Sequence, residues 1–307
     1  MSDISIIIPT FNRLCSLPHA IDSCRTLGCA VEIIVVDDGS TDGTWQYLKA
    51  QPDLVAIRTD NWGKDWAVQS AMAVARGEYV RFLDSDDWLP PDATLEQLAL
   101  ARASGADLVV AGYEDHDDIT GERRPREWED CDDFIAQQLG EGWASHYSAF
   151  LFRRALVADI PHRQDFALRD DRLFILEVAI RKPRLAVYRK PGLVHRHHAG
   201  DRLQRTAGFR RDLANWTFLS IFRKILPLLE TRGELTLRRK RAAIGVMWDV
   251  VRSFARAHPA EAAEIYHWLF RLDPAFRPPV HPIVAFAYKT LGFTATERLL
   301  HLRHALT

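Results

Sequence analysis

Three carboxylates stand close together in the segment Asp84-Ser85-Asp86-Asp87. Asp84 and Asp86 are two residues apart, so on an extended chain their side chains share one face. Two carboxylate oxygens on one face suit a hard divalent cation such as Mg²⁺ or Mn²⁺. A solvated acidic turn explains this short segment equally well, and the choice between the two depends on what the rest of the chain supplies.

Two more polar clusters precede this one, and each of the three follows a short apolar run. The runs are residues 5–8, 31–36 and 79–83, and the clusters are residues 9–13, 37–40 and 84–87. Such runs, bounded by turn residues, predict buried strands. Open α/β sheets bind ligands at the carboxyl ends of their strands, so we expect the clusters to face one ligand. Carboxylates repel a diphosphate, so such a ligand would need a bridging cation.

The elements that must position these clusters alternate between strand and helix, which predicts a largely parallel sheet. Helical patterns cover about residues 17–26, 41–49, 67–75 and 91–103, with further strands at 55–58 and 107–111. Residues 114–121 read as a hairpin or loop, and residues 131–139 and 173–181 as helices. Short strands follow at 185–188 and 193–195, and then helices at 213–229, 235–257, 259–269, 283–291 and 294–304.

Composition indicates an ordinary globular protein of one large or two modest domains. The chain has 307 residues, of which 47% are hydrophobic and 26% charged, with a net charge of −1. Residues 201–307 are nevertheless basic, with 18 Lys and Arg against 9 Asp and Glu, so the preceding part is acidic. No secretory signal or bilayer-length apolar stretch is visible, and the four cysteines lack metal-ligand spacing. These features predict a cytoplasmic, reduced protein.

Residues 6–13, 32–44 and 77–88, with the later pair Asp170-Asp171, together resemble the family 2 glycosyltransferases of GT-A fold. The resemblance covers roughly residues 4–200. It implies an α/β fold with a mixed, mainly parallel sheet and a C-terminal helical region. We therefore expect a catalytic domain at 1–205, with the donor site in about 4–110 and the acceptor and base part in about 111–205. Residues 206–307 would form a basic helical region.

The resemblance also implies a nucleotide-diphosphate sugar as donor, with a UDP-sugar favoured. By position, Pro9, Thr10, Arg13 and Asp38 would bind the nucleotide, and Asp84 would lie near the ribose. No GxGxxG or GxxxxGK[ST] segment is present, which argues against dinucleotide or P-loop chemistry.

A divalent cation, Mn²⁺ or Mg²⁺, is implied at Asp86. The family often carries an Arg-x-His segment whose histidine reaches the metal or the diphosphate, and this pattern points to His198. The neighbouring His195 and His197 leave another interpretation equally open, in which all three are surface residues at the end of a strand.

An acidic pair before a helix supplies the catalytic base in the family, which here points to Asp171. The family more often has Glu in the place of Asp170, a mild departure. Taken alone, the two acids would be read as the N-terminal cap of a helix. A second departure is Val68-Gln69, where many relatives have Arg-Asn. Either a donor-binding cation is absent or Lys64 replaces it.

A single base and no second carboxylate nucleophile predict direct displacement with inversion at the anomeric carbon. The acceptor would be a glycan or a lipid-linked hydroxyl in surface polysaccharide synthesis. Trp143, His146 and Tyr147 could contact it, although packing in the core explains them at least as well.

The basic helices, with the tract at residues 238–241, could lie on the inner face of an anionic membrane. Solvated faces of a helical bundle are the alternative, and no nucleic-acid role is expected. A catalytically silent nucleotide-sugar-binding or scaffold protein on the same fold is the alternative function. A sugar-nucleotide pyrophosphorylase fits less well, because its Gly-rich N-terminal loop is missing.

Overall fold

A computed structural model describes residues 2–25, 28–162, 164–166, 168–198 and 209–305. The strands are β1 Ile4–Thr10, β2 Val31–Asp37, β3 Leu54–Arg58, β4 Tyr79–Phe82, β5 Leu108–Ala111, β6 Tyr113–Asp117, β7 Arg123–Arg126, β8 Leu151–Arg153, β9 Leu185–Tyr188 and β10 Val194–His197. The helices are α1 Leu17–Cys24, α2 Thr44–Lys49, α3 Lys64–Val74, α4 Ala93–Ser104, α5 Phe134–Ala136, α6 Arg154–Val157, α7 Asp170–Ile180, α8 Phe209–Thr231, α9 Leu237–Ala257, α10 Pro259–Leu272, α11 Pro282–Thr290 and α12 Phe293–Ala305.

The main sheet has seven strands in the order β3-β2-β1-β4-β8-β5-β9. Strands β1 to β4 are parallel to one another, as are β5 and β9, whereas β8 runs antiparallel between β4 and β5. The apolar run in β1 is buried along its whole length, because strands flank it on both sides and α3 packs against it. The predicted α/β fold with a mixed, mainly parallel sheet is confirmed.

Chain order reverses at β1, which has β2 on one side and β4 on the other. The chain moves outward from β1 through β2 to β3, and then returns to place β4 beside β1. Such a reversal opens a crevice at the carboxyl ends of the strands, where ligands of open α/β sheets bind.

A second, three-stranded sheet has the order β10-β6-β7. Of the two predictions for residues 114–121, a hairpin or a loop, the structure shows the hairpin, in which β6 and β7 pair antiparallel. Gly121 takes the left-handed conformation that the turn requires, with φ of +70°. Strand β10 lies parallel to β6 and brings residues 194–197 beside residues 114–117.

The chain divides into two compact units. The first consists of residues Met1–Asp132 and Ala144–Arg205, and the second of Asp133–Trp143 and Thr206–Thr307. Residues 133–143 therefore pack with the C-terminal helices, whereas the sequence assigned them to the catalytic domain. Gly140 explains this close packing: with φ of +117°, its Cα lies so near α9 that an added Cβ would fall 2.3 Å from Val246 Cγ2.

Within the second unit, the predicted C-terminal helices are present as α8 to α12, with ends displaced by a few residues. None of the helices in the described ranges has the length and apolar character needed to cross a bilayer. The basic tract at residues 238–241 lies in the first turn of α9 and is largely paired within this unit. Arg238 contacts Glu141, Arg239 contacts Asp133, and Arg241 contacts Asp273. These pairs reduce the positive charge that the tract presents to a membrane.

Candidate active site

The three polar clusters at the ends of β1, β2 and β4 lie side by side at the point of chain reversal. Thr10 is the register partner of Asp37, and its carbonyl accepts a hydrogen bond from the Asp38 N–H at 2.9 Å. On the other side of β1, Leu83 donates its N–H to Ile7. The parallel pairing that buries the apolar runs therefore also brings their polar ends together.

The loop after β1 is fastened to the loop after β2 by Asn12. Its backbone is left-handed, with φ of 51°, its N–H donates to Ser40 Oγ at 2.8 Å, and its Oδ1 accepts from the Thr41 N–H at 2.8 Å. Pro9 and Thr10 are buried beneath this junction. The buried Thr10 hydroxyl has no hydrogen-bond partner among the described residues.

Asp38 is buried, and both its oxygens bind the loop that precedes α3. Oδ1 accepts from Thr59 Oγ1 at 2.7 Å and from the Trp62 N–H at 2.8 Å, and Oδ2 accepts from the Gly63 N–H at 2.7 Å. The sequence predicted that Asp38 contacts the donor nucleotide, which stays a prediction. In the structure this carboxylate fixes the shape of residues 59–63, a role that the sequence did not reveal.

Asp84 forms an ion pair with Lys64, the first residue of α3. Burial favours the neutral form of each partner, but the opposite charge of the other outweighs it. The pKa of the Lys64 ammonium is therefore held well above its usual value, and the pKa of the Asp84 carboxyl is held below its usual value. Lys64 thus supplies a cation close to the position where the sequence lacks the Arg-Asn of many relatives.

Asp86 lies beside His198, with Oδ2 and Nε2 3.0 Å apart. Both side chains are only partly exposed. A carboxylate oxygen and an imidazole nitrogen converging in this way form a donor set that divalent Mn²⁺ accepts, so these two residues fit the implied cation. The proposed metal ligands are thus brought together, although 112 residues separate them in sequence.

Asp87, to which the sequence assigned no role, helps to hold His198 in place. Its Oδ1 accepts a hydrogen bond from the Arg196 N–H at 2.9 Å, and Trp88 forms an isolated bridge with Val194. The Asp87 side chain and the backbone of Trp88 thus fasten β10 to the end of β4. The last residue of the acidic segment therefore positions the strand that ends one residue before His198.

The Asp170-Asp171 pair opens α7, as the sequence predicted, and its two members have different surroundings. Asp170 is buried, and its Oδ2 lies 2.6 Å from His162 Nδ1. Asp171 is exposed, and its Oδ1 accepts the N–H of Arg172 at 2.8 Å. Its charge raises the pKa of Lys64 and opposes the burial that lowers the pKa of His146. Asp171 therefore lies within electrostatic reach of the Lys64–Asp84 pair.

The three residues proposed for the acceptor lie in different surroundings. Tyr147 is buried, its ring stacks on Phe82 with centroids 5.4 Å apart, and burial raises the pKa of its hydroxyl. His146 is half-buried, and its ring stacks on His195. Trp143 belongs to the second unit, whereas the other two belong to the first. The ring of Tyr147 therefore serves the core, and the acceptor role of all three stays a prediction.

Two further residues near the site were not predicted from the sequence. Asp65, buried in the first turn of α3, has its pKa raised to about 7 by burial and by the charge of Asp170. Arg81 is fully buried in β4 and donates to the carbonyls of Ser148, Ala149 and Gly192. The only available signal for Arg81 was its charge inside an otherwise apolar run.

Comparison with known proteins identifies the family of the chain. The family model described as glycosyl transferase family 2 matches residues 5–160. The undecaprenyl-phosphate 4-deoxy-4-formamido-L-arabinose transferase of Pseudomonas paraeruginosa is 31% identical over 167 residues, which are 50% of this chain and 48% of that protein. The chain spans about half the length of the curated relatives it matches.

Solved structures share the fold. Residues 1–349 of S. aureus TarS superpose with a TM-score of 0.66 at 17% identity, covering 99% of this chain and 92% of that one. The same TarS region in complex with UDP-GlcNAc gives a TM-score of 0.56. The mannosyltransferase PcManGT of Pyrobaculum calidifontis, solved with GDP-Man and Mn²⁺, gives 0.51 at 19% identity, covering 98% of this chain and 87% of that one. These likenesses show the GT-A fold.

Proposed function

The chain belongs to glycosyl transferase family 2, and we propose that it is an inverting, metal-dependent glycosyltransferase. It moves a sugar from a nucleotide diphosphate to a hydroxyl of a glycan or lipid-linked acceptor in surface polysaccharide synthesis. The observation that carries the proposal is the convergence at the reversal point of β1. The Asp86–His198 pair lies there with the Lys64–Asp84 pair, and Asp171 acts electrostatically on Lys64.

The donor is a nucleotide-diphosphate sugar, with a UDP-sugar favoured. TarS, which shares the fold, has been solved with UDP-GlcNAc, and PcManGT with GDP-Man. In this chain the Thr10 hydroxyl, which has no hydrogen-bond partner within the described ranges, would line the nucleotide end of the crevice together with Pro9, Arg13 and Asp38.

Asp86 and His198 would hold the divalent cation, Mn²⁺ or Mg²⁺. When bound there, the cation offsets the negative charge that gathers on the departing nucleotide diphosphate. The Lys64 ammonium would act on the same charge. Because Asp84 keeps the pKa of Lys64 well above its ordinary value, the ammonium stays charged throughout the physiological pH range. Asp84 would then serve the donor partly through Lys64.

Asp171 would be the catalytic base. It would take the proton from the acceptor hydroxyl as the hydroxyl oxygen attacks the anomeric carbon, on the face opposite the leaving diphosphate. The bond from the anomeric carbon to the diphosphate oxygen breaks in the same step, so the configuration inverts. Asp171 is suited to this work because its side chain is exposed, whereas the neighbouring Asp170 is buried against His162.

The proposal extends to the acceptor and to the place in the cell where the protein acts. The relative from P. paraeruginosa is named as an undecaprenyl-phosphate transferase, which favours a lipid-linked acceptor and work at the cytoplasmic face of a membrane. Trp143, His146 and Tyr147 remain the candidate acceptor contacts. Because most cations of the tract at residues 238–241 are paired within their own unit, any membrane contact would use other parts of the C-terminal helices.

The test is a panel of UDP- and GDP-sugars with Mn²⁺, in which transfer and hydrolysis are measured by release of the nucleotide. Thermal unfolding with free UDP and GDP runs alongside, because a ligand that binds the native state raises its stability. Release that requires both the cation and an acceptor supports the proposal. A thermal shift without release on any glycan or lipid-linked acceptor would favour a silent binding protein, and no shift with any nucleotide would refute the donor site.

A further inference from the structure

Two histidines of β10 and one aspartate of β6 form a compact cluster outside the proposed donor site. His195 and His197 are two residues apart on the strand, so their side chains share one face. Asp115 is the register partner of His195 on the neighbouring strand. Each residue offers one ligand atom, and the three atoms all lie within 4.8 Å of one another.

The carboxylate oxygen of Asp115 lies close to a ring nitrogen of each histidine. Asp115 Oδ1 is 3.1 Å from His195 Nδ1 and 2.6 Å from His197 Nε2. Ligand atoms about 2.1 Å from a tetrahedral cation stand roughly 3.4 Å apart. Both observed separations are shorter than that value, so the imidazoles would have to rotate away from the carboxylate by less than about 1 Å to admit an ion. Two imidazole nitrogens and one carboxylate oxygen are a donor set suited to Zn²⁺ and similar divalent metals.

Neighbouring side chains hold these ligands in orientation. Arg126 Nε donates to Asp115 Oδ2 at 3.1 Å, which leaves Oδ1 directed at the histidines. The ring of His195 packs between Tyr113 and His146, at centroid distances of 5.8 and 5.4 Å. Outer contacts of this kind fix the orientation of metal ligands in known sites. The side chain of His197 is 44% exposed, so an ion and a water ligand can reach the cluster from solvent.

This cluster is separate from the Asp86–His198 pair. His198 directs Nε2 towards Asp86, whereas His197, one residue earlier, directs Nε2 towards Asp115. The end of β10 therefore carries ligand groups for two different partners. An ion at the cluster would fasten the end of β10 to β6, and it would limit the movement of the adjacent His198.

We propose that Asp115, His195 and His197 form a second divalent-metal site, of the Zn²⁺ type, which fixes the end of β10. The competing explanation needs no metal: one carboxylate oxygen accepts a hydrogen bond from each imidazole. The two explanations differ in a measurable way, because only the first predicts a chromophore with Co²⁺, which commonly substitutes for Zn²⁺. Neither depends on the proposed transferase activity.

The test is a Co²⁺ titration of the chelator-treated full chain without nucleotide, followed by visible absorption and by competition with Zn²⁺. Binding at the cluster should give the strong absorption of a tetrahedral site. His197→Ala and His195→Ala should each weaken Co²⁺ binding at least about 100-fold, more than the loss of an outer-shell contact would. Asp86→Ala should leave the tetrahedral band unchanged, since it removes only the proposed donor-site ligand.

His116→Ala is the matched control, because His116 is the neighbour of Asp115 on β6 and its ring packs against Trp88 instead. His197 is the most exposed of the three ligands, so its replacement disturbs the fold least, and its thermal unfolding would verify this. Added Zn²⁺ should raise the Tm of the parent chain and of the Asp86 variant, and should leave the Tm of His197→Ala unchanged. A parent chain without a tetrahedral band, or a band that survives His195→Ala and His197→Ala, would overturn the proposal.

Discussion

The acidic segment after β4 and the acidic pair that opens α7 share the same arrangement of carboxylates. In each, one carboxylate is bound into the fold and a neighbour is left facing the crevice or solvent. Asp87 is buried and accepts the Arg196 N–H, while Asp86 meets His198. Asp170 is buried against His162, while Asp171 is exposed. Burial therefore separates adjacent acids of identical chemistry into those bound within the fold and those proposed to act in the site.

The largest expected effect comes from Asp171→Asn. Loss of a positioned base costs about 10²- to 10⁴-fold in the rate of transfer. Nucleotide binding should be unchanged, because Asp171 is not a proposed donor ligand. The measurement is kcat for transfer, with thermal shifts by UDP as the binding readout. If Asp171→Asn transferred sugar at the parent rate, the division between the two acids of α7 would be wrong.

Asp65 reports on the surroundings of Asp170, because the charge of Asp170 helps to raise the pKa of the Asp65 carboxyl. Its pKa is raised to about 7, whereas in the unfolded chain the carboxyl titrates near 3.8. Between about pH 4 and pH 7 the folded state keeps a proton that the unfolded state has released, so the free energy of unfolding falls as pH rises through this window. Asp65→Asn should remove this fall, and so raise the free energy of unfolding at pH 8 by at most about 4 kcal/mol.

The measurement is urea unfolding of the parent and the variant from pH 5 to pH 8. The gain from Asp65→Asn should grow with pH and level off above about pH 7. Asp60→Asn is the control, because Asp60 is exposed in the loop before α3 and its replacement should leave the pH profile unchanged. A gain from Asp65→Asn that is equal at every pH would contradict the shifted pKa.

Asp86→Ala and Asp87→Ala sharpen the comparison at the end of β4. Asp86→Ala should weaken cation-dependent nucleotide binding about 100-fold, because it removes a proposed metal ligand. Its nucleotide binding should then no longer respond to a chelator. Asp87→Ala should instead lower the midpoint of urea unfolding, because it leaves the Arg196 N–H without its acceptor. Calorimetric titration with UDP, with and without Mn²⁺, measures the first effect.

The smallest effect is expected for the stability of the two α7 variants. Asp170→Ala should lower the free energy of unfolding by about 1–3 kcal/mol, because the buried His162 loses its partner. Asp171→Ala should change it by no more than about 0.5 kcal/mol, as is usual for an exposed position. Urea unfolding measures both, and equal losses in the two variants would remove the structural distinction between these acids.

The strand-end clusters could be predicted because their cause is local. Continuous β-branched runs in β1 and β2 predict buried strands, and parallel pairing then brings their polar ends to one edge. The last five helices were likewise visible from periodicity and from glycine and proline breaks. Strand β8 was missed because its three residues are too few to carry a pattern, and its place between β4 and β5 is what makes the sheet mixed.

Which carboxylates are bound within the fold could not be predicted, because their partners are distant in the chain. Asp87 is bound by a residue 109 positions later, and Asp84 by a lysine 20 positions earlier. Likewise, Gly140 gives no sign in the sequence that residues 133–143 pack against α9. Motif order predicts which carboxylates belong to the site, whereas only the three-dimensional contacts show which of them are bound within the fold.

The buried guanidinium of Arg81 has a consequence for how the chain comes together. Burial lowers its pKa to about 10, so it remains charged, and the partners identified for it are carbonyls of residues 148, 149 and 192 and the hydroxyl of Thr94. An N-terminal fragment that stops before residue 148 would leave this charge in the middle of the sheet without those carbonyls. The half that carries the proposed donor site therefore should not fold as an autonomous module. During synthesis, the carbonyls that accept hydrogen bonds from Arg81 in β4 are made more than 60 residues after it.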